Sequence, residues 1–318
     1  MLAELALAVV DEVPTAQSCL AQIPSVVLRI ERLVDHPHGP TRARARALSS
    51  GTPTRPAYNL QITTFGEFAI RRSDGVAVSD RSRGGRVQQL LAVLLTEPVP
   101  LRTSIASRLW PDLSDKQAGA NLRVTLATLL DSIEPQRRSG TSWFIRSVDG
   151  RLQLVDDGVD VDVRQFDRLI SLARACERRS RFTEALDHHR DAFDLYLGDY
   201  MPGLSDTDTD HERLRLHTLA YNAGCRLAEL LLARGEPEEA LQVSIVSARI
   251  DPLAERARRT EIRSHLALGS VLAARAAARD VRARMFDERL PPDRETARLL
   301  DRVDPPDDPP KPPTKDRM

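Results

Sequence analysis

Residues 104–133 read SIASRLWPDLSDKQAGANLRVTLATLLDSI, and the punctuation in this stretch decides the fold. Ser104 is placed to cap a short helix carrying Ile105, Leu109 and Trp110, and Pro111 stops it. Ser114-Asp115 then caps a longer helix. Its apolar residues Ala118, Leu122, Leu126, Leu129, Leu130 and Ile133 recur at the spacing of one helix face. The pattern is therefore a short helix, a tight turn, and a long helix with one face for a core and one face free.

The flanking sequence extends this unit on both sides. Upstream, Val87, Leu90, Leu91, Leu94 and Leu95 mark another amphipathic helix that Pro98 and Pro100 end. Before it, Leu60, Ile62, Thr64 and Gly66 alternate with Gln61, Thr63 and Phe65, and Phe68 and Ile70 continue the strand pattern. A turn at Arg72-Ser73-Asp74-Gly75 leads to a second short strand at Val76-Ala77-Val78. Downstream, residues 141–146 and 151–155 flank Asp149-Gly150, a strong hairpin signal. Strands, three helices and a hairpin across residues 60–156 are the plan of a winged helix with a small N-terminal sheet.

The second half is helical and repetitive. Gly235 and Gly269 lie 34 residues apart, as do Ala240 and Ala274, the period of the tetratricopeptide repeat. Ala185 and Ala192 share the seven-residue spacing of Ala240 and Ser247, small residues where paired helices approach closely. The interval from Ala185 to Ala240 is too long for one repeat. Residues 198–210, with the acidic run Asp206–Asp210, read as a solvated insertion. The expected fold class is mainly α with a small β component, a winged helix-turn-helix domain at 60–156 followed by an all-α tetratricopeptide-like domain at 157–303. Residues 1–59 form an unassigned extension, with two short helices within 1–34 and a breaker-rich linker at 35–59. Residues 304–318, proline-rich and of mixed charge, read as a disordered tail.

Composition excludes several classes. The 46 basic and 46 acidic residues balance, so any nucleic-acid argument must rest on local charge. Locally, residues 60–155 hold 13 basic and 9 acidic side chains, and residues 160–303 hold 24 and 26. Cys19, Cys176 and Cys225 are too dispersed for a disulfide framework or zinc site, which fits reduced thiols in a cytoplasmic protein. The apolar start lacks a basic residue and runs into Asp11-Glu12, unlike a signal peptide, and no apolar run is long enough for a membrane span. Adjacent His188 and His189 point apart on a helix, so no metal site is expected. No catalytic constellation or cofactor-binding motif stands out, so the chain is not expected to be an enzyme.

Phe65-Gly66, Leu109-Trp110-Pro111-Asp112, Asn121-Leu122-Arg123-Val124 and the segment Val159-Asp160-Val161-Asp162-Val163-Arg164-Gln165-Phe166 together resemble the Streptomyces antibiotic regulatory proteins. These are transcriptional activators with an OmpR/PhoB-like winged helix and a bacterial transcriptional activation domain. The resemblance covers roughly residues 60–303. It implies a sequence-specific activator that binds double-stranded promoter DNA, in two copies on direct repeats, self-associates there and recruits RNA polymerase holoenzyme.

In a winged helix the long helix lies in the major groove. Subtracting its apolar stripe leaves Lys116, Gln117, Asn121, Arg123, Thr125 and Thr128 as outward positions. Lys116 and Arg123 suit phosphate or guanine, and Asn121 or Gln117 suits adenine. Arg137, Arg138 and Arg146 lie near the wing, where arginine favours the minor groove, and Arg81, Arg83 and Arg86 form a candidate backbone clamp. The helix carries Ala127-Thr128-Leu129-Leu130-Asp131 where relatives usually have more arginine. That departure favours the rival reading, a repeat-based scaffold or adaptor with degenerate DNA binding.

Overall fold

The computed structural model describes residues 32–51, 53–79, 81, 84–137 and 142–305. The expected helices within 1–34 lie almost wholly outside this range, as do Arg83, Arg138 and residues 306–318. The described residues fall into two compact units. One comprises residues up to Arg164 together with Tyr200–Asp210, the other Gln165–Asp199 with His211 onward. The sequence pattern places the boundary at 156/157 and residues 198–210 within the helical half, whereas Tyr200–Asp210 fall in the first compact unit. No described helix is long and apolar enough to cross a membrane, and no group of three or more metal-binding side chains forms among the described residues.

In the first unit, the stretch read as linker contains a helix, α1 (Gly39–Gly51). Between Pro40 and Gly51 there is no breaker, and alanine and arginine are strong helix formers. Two strands, β1 (Leu60–Thr63) and β2 (Ala69–Arg72), follow and pair antiparallel with Ile62 opposite Ile70. The expected single strand across 60–70 is thus folded back on itself. Gly66 sits at φ 72°, a left-handed conformation that suits glycine. The amides of Thr64 and Phe65 bond the Asp162 carboxylate instead of a ladder partner. Val76-Ala77-Val78 forms no strand. The third strand of the sheet is β5 (Val159–Val161), parallel to β1, which gives the order β2-β1-β5.

Three helices lie between: α2 (Gly85–Thr96), α3 (Arg102–Leu109) and α4 (Asp115–Ile133). Val87, Leu90, Leu91 and Leu94 of α2, Ile105 and Leu109 of α3, and Leu122, Leu126 and Leu129 of α4 are buried. Ser104 does not cap α3, which starts two residues earlier. The Arg102 amide is satisfied from a distance, by the Gly150 carbonyl at 2.8 Å. The hairpin β3 (Ile145–Val148) and β4 (Arg151–Leu154) turns at Asp149-Gly150, both at positive φ, as a two-residue hairpin requires. Trp143 and Phe144, just before β3, are fully buried.

The second unit is a stack of helix pairs. Helices α5 (Asp162–Arg178) and α6 (Phe182–Leu195) form the first, α7 (Thr207–Arg234) and α8 (Pro237–Ile250) the second, α9 (Glu255–Ala267) and α10 (Val271–Asp287) the third, and α11 (Arg294–Val303) closes the series. The first turns of α5 and α7 are counted in the first unit. Each pair turns on a residue at positive φ: Ser180 (56°), Gly235 (85°) and Gly269 (71°). Five residues beyond each stands a fully buried alanine, Ala185, Ala240 and Ala274. The acidic run is not a loop, because α7 begins at Thr207. Asp206 caps it, accepting from the Thr209 amide at 3.0 Å and hydroxyl at 2.8 Å. Asp208 and Asp210 occupy its first turn, where the helix dipole favours negative charge.

Among the described glycines, close approach is tightest at Gly224 of α7. A Cβ built there would lie 2.2 Å from Ser247 Oγ on α8 and 2.5 Å from Phe193 Cε2 on α6. Two stability changes of opposite sign follow. Gly224→Ala forces overlap in a packed interior and should lower stability by about 1–3 kcal/mol. Ser180→Gly relieves a left-handed serine and should raise it by about 0.5–1 kcal/mol, the relief exceeding the added freedom of the unfolded chain. Urea denaturation of both variants measures each sign; a neutral Gly224→Ala would mean that the helices can part freely there.

Candidate nucleic-acid interface

The local sequence fixes the long helix before any tertiary contact does. Ser114 is its N-cap: the Gln117 side chain accepts from the Ser114 amide at 3.3 Å while the Ser114 side chain accepts from the Gln117 amide, the reciprocal geometry of a capping box. At the other end Glu134 is buried, and its carboxylate accepts from the Ser142 hydroxyl at 2.7 Å and the Trp143 amide at 3.0 Å. Burial pushes the Glu134 carboxyl up, with the Ser142 and Trp143 bonds opposing the shift. Helix α4 is thus anchored to the segment that leads into the hairpin.

The hairpin is lashed to α3 as well. Besides the Arg102 amide bond, the Leu152 amide donates to the Pro100 carbonyl at 2.9 Å, and Arg151 Nη1 donates to the Val99 carbonyl at 3.1 Å. Arg102 Nη1 donates to Ser147 Oγ at 3.2 Å. These bonds hold short helix, long helix and hairpin in one geometry. A cleft between α3 and α4 is lined by Arg102, Thr103, Ser107, Asp115, Gly119 and Arg123, among others.

The expected contact residues separate on this frame. Lys116 and Arg123 are exposed, and neither meets a carboxylate among the described residues. Seven residues apart, they lie about 10 Å from each other along one face of α4. Ala120, Val124 and Ala127 occupy the same side, with Val124 67% exposed. Asn121 and Thr128 are half-buried, and the Thr128 hydroxyl donates to the Val124 carbonyl at 3.0 Å. Gln117 is exposed but committed to the cap.

Three expectations are corrected by packing or pairing. Thr125 is 8% exposed and faces the core, because it lies one turn from Leu122 and Leu129. Arg137 pairs with Asp131 at 2.5 Å, so the acidic residue that would repel phosphate neutralises its neighbour. Arg146 points inward from β3 and is only 6% exposed. Its guanidinium stacks 5.8 Å from the Trp143 ring centre, and its Nε and Nη2 have no hydrogen-bond partner among the described residues. Burial lowers its pKa. Arg138 lies outside the described residues. Of the proposed clamp, Arg86 bonds Gln89 at 2.8 Å and lies over Trp110, and Arg81 is exposed.

Arg102 was missed from sequence. Its signal is its place at the first position of a helix, where the dipole disfavours a cation and no carboxylate lies nearby in the sequence. Several other arginines of this unit are ion-paired: Arg55 with Asp157, Arg72 with Asp74, Arg108 with Glu97 and Asp208, Arg164 with Asp156.

Comparison with known proteins bears on both units. Residues 161–303 match the bacterial transcriptional activator domain. No curated protein matches the chain. A solved structure of Mycobacterium tuberculosis EmbR, in complex with a low affinity phosphopeptide, shares the fold at a TM-score of 0.62 and 18% identity. The match covers 77% of this chain and 65% of that one, so the present chain spans less than two thirds of that structure's length. Residues 161–303, the helical half of the chain, are thus a bacterial transcriptional activator domain.

Proposed function

We propose that the first unit binds promoter DNA with α4 in the major groove, and that the helical half contacts RNA polymerase and supports self-association on the promoter. The observation carrying the DNA reading is the pair Lys116 and Arg123, exposed, without carboxylate partners among the described residues, and two turns apart on one face of α4. Small side chains at Ala120 and Ala127 let that face sit deep in a groove. Arg123 supplies the fork that pairs with guanine O6 and N7, and Lys116 a point charge for phosphate. Arg102, at the mouth of the α3–α4 cleft, adds a second backbone contact. The fixed hairpin carries Arg151 beside the same helices.

Mobility shifts with duplexes from the region upstream of the gene, at several salt concentrations, test the reading. Affinity should fall steeply with salt, because phosphate contacts release counterions. Arg123→Ala should weaken binding by about 1–3 kcal/mol while leaving the melting temperature unchanged. Absence of binding at low salt would overturn the proposal and leave the scaffold reading. Arg146→Met makes the opposite forecast: removing a buried guanidinium with unpaired nitrogens should raise stability by about 1–3 kcal/mol. DNA affinity should not change. A loss of affinity with no gain in melting temperature would return Arg146 to the interface.

A further inference from the structure

The side of α4 that carries Lys116 and Arg123 is also partly apolar. Val124 is 67% exposed, the most exposed of the large apolar side chains described in the first unit. At the pitch of an α-helix it lies about 100° round the axis from Arg123, with Ala120 and Ala127 between them. Neither packing nor helix stability accounts for a valine there. Its side chain lies away from the buried Leu122, Leu126 and Leu129, and a β-branched residue is a poorer helix former than the alanines beside it. The polar side chains around it are already engaged. Gln117 is held in the capping box, the Thr128 hydroxyl donates to the Val124 carbonyl at 3.0 Å, and Asp131 pairs with Arg137 at 2.5 Å.

The chemistry of the groove narrows what such a surface can meet. Every base presents hydrogen-bonding atoms in the major groove, but only thymine presents an apolar group, its C5-methyl. We propose that Val124, with Ala120 and Ala127 beside it, selects thymine through that methyl, while Arg123 reads guanine on the other edge of the same face. A valine in a helix keeps essentially one side-chain rotamer, so its methyl groups are fixed in place before DNA arrives. Cytosine in the same place presents an amino donor, which Val124 leaves without an acceptor. The two flanking cations, Lys116 and Arg123, supply the charge complementarity that brings a duplex to this surface. The inference rests on the placement of α4 in the major groove proposed above, and adds which base its apolar part selects.

Deoxyuridine is thymine without the methyl and pairs with adenine in the same way, so it isolates the contact. Quantitative mobility shifts of the full chain use an upstream duplex that the wild type binds, with each thymine replaced in turn by deoxyuridine. At one or two positions the wild type should lose about fourfold in affinity, the equivalent of about 0.8 kcal/mol for one buried methyl group. Val124→Ala should bind the thymine duplex about fourfold to tenfold more weakly and show no further loss with deoxyuridine at those positions. Its thermal melt should be unchanged or higher, because alanine is the better helix former and the side chain is exposed. Three results would each overturn the thymine reading while leaving DNA binding intact: a wild type indifferent to deoxyuridine at every position, a Val124→Ala variant with the same loss at the same positions, or one that binds the thymine duplex as tightly as the wild type. A wild type that binds no duplex at low salt would overturn it together with the reading on which it rests.

Discussion

The Asp162 carboxylate organises the first unit. It accepts from the Thr64 amide and hydroxyl at 2.6 Å each, from the Phe65 amide at 3.0 Å and from the Val163 amide at 2.7 Å. Thr64 is fully buried, so its polar groups need partners within the protein. Charge-assisted bonds of this kind are worth roughly twice a neutral one. Their geometry also forces topology. By drawing the chain after β1 toward residue 162, they bring β5 alongside β1 in parallel and turn the intervening segment back as β2. Tyr200 and Met201 then join the same place, Tyr200 bridging Phe65 and the Met201 amide donating to the Thr64 carbonyl at 2.8 Å. Two sequence motifs nearly a hundred residues apart, Phe65-Gly66 and Asp160-Val161-Asp162, are therefore one structural feature.

The helices of this unit depend on a second constraint, the absence of a side-chain cap on α3. A serine at Leu101 could have ended the helix locally. Instead the hairpin supplies the acceptor, through the Gly150 carbonyl, and the hairpin thereby becomes part of the helix's own hydrogen bonding. The wing then has its place relative to α3 and α4 fixed by backbone bonds. An interface read by rigid elements holds its contacts more closely than one carried on loops.

Most of the helical architecture was legible because its signals are local. The 3.6-residue period of α2 and α4, Ser114 as cap, Asp149-Gly150 as turn and the 34-residue spacing of Gly235 and Gly269 each involve residues near one another in the chain. What escaped the sequence depends on distant partners. The β5–β1 pairing is invisible from a three-residue strand, and α3 has its cap from residue 150. Ser180 hides the first helix pair because the turn signal there is a serine in a glycine's conformation. Thr125 and Arg146 show the same limit at the candidate site. Polarity suggested that both face outward, yet Thr125 lies on the core side of α4, and Arg146 is on the inward side of β3, stacked on Trp143. Lys116 and Arg123 are exposed as expected, although Arg123 lies seven residues before Leu130 and so on its side of the helix, where Leu130 is only half-buried.

The two units use arginine in different ways, and this explains why the zero net charge of the chain says little about its function. In the helical unit, guanidinium groups join neighbouring helices. Arg226 of α7 bonds Glu177 of α5 at 2.6 Å, and Arg256 of α9 bonds Glu229 of α7 at 2.7 Å. Arg190 of α6 bonds Glu239 of α8 at 2.9 Å, and Arg263 of α9 bonds Glu295 of α11 at 2.6 Å. Burial alone would raise the Glu177 and Glu229 carboxyls, but the adjacent Arg226 and Arg256 outweigh it and hold both below the ordinary glutamate range. Such pairs set register between successive helices whose buried faces, rich in alanine and leucine, would otherwise slide. Charge spent inside the stack leaves no field at a distance. In the first unit Lys116 and Arg123 have no such partner among the described residues, so their charge is not cancelled by a neighbouring carboxylate there. Which cations stay unpaired among the described residues is a quantity that composition averages away.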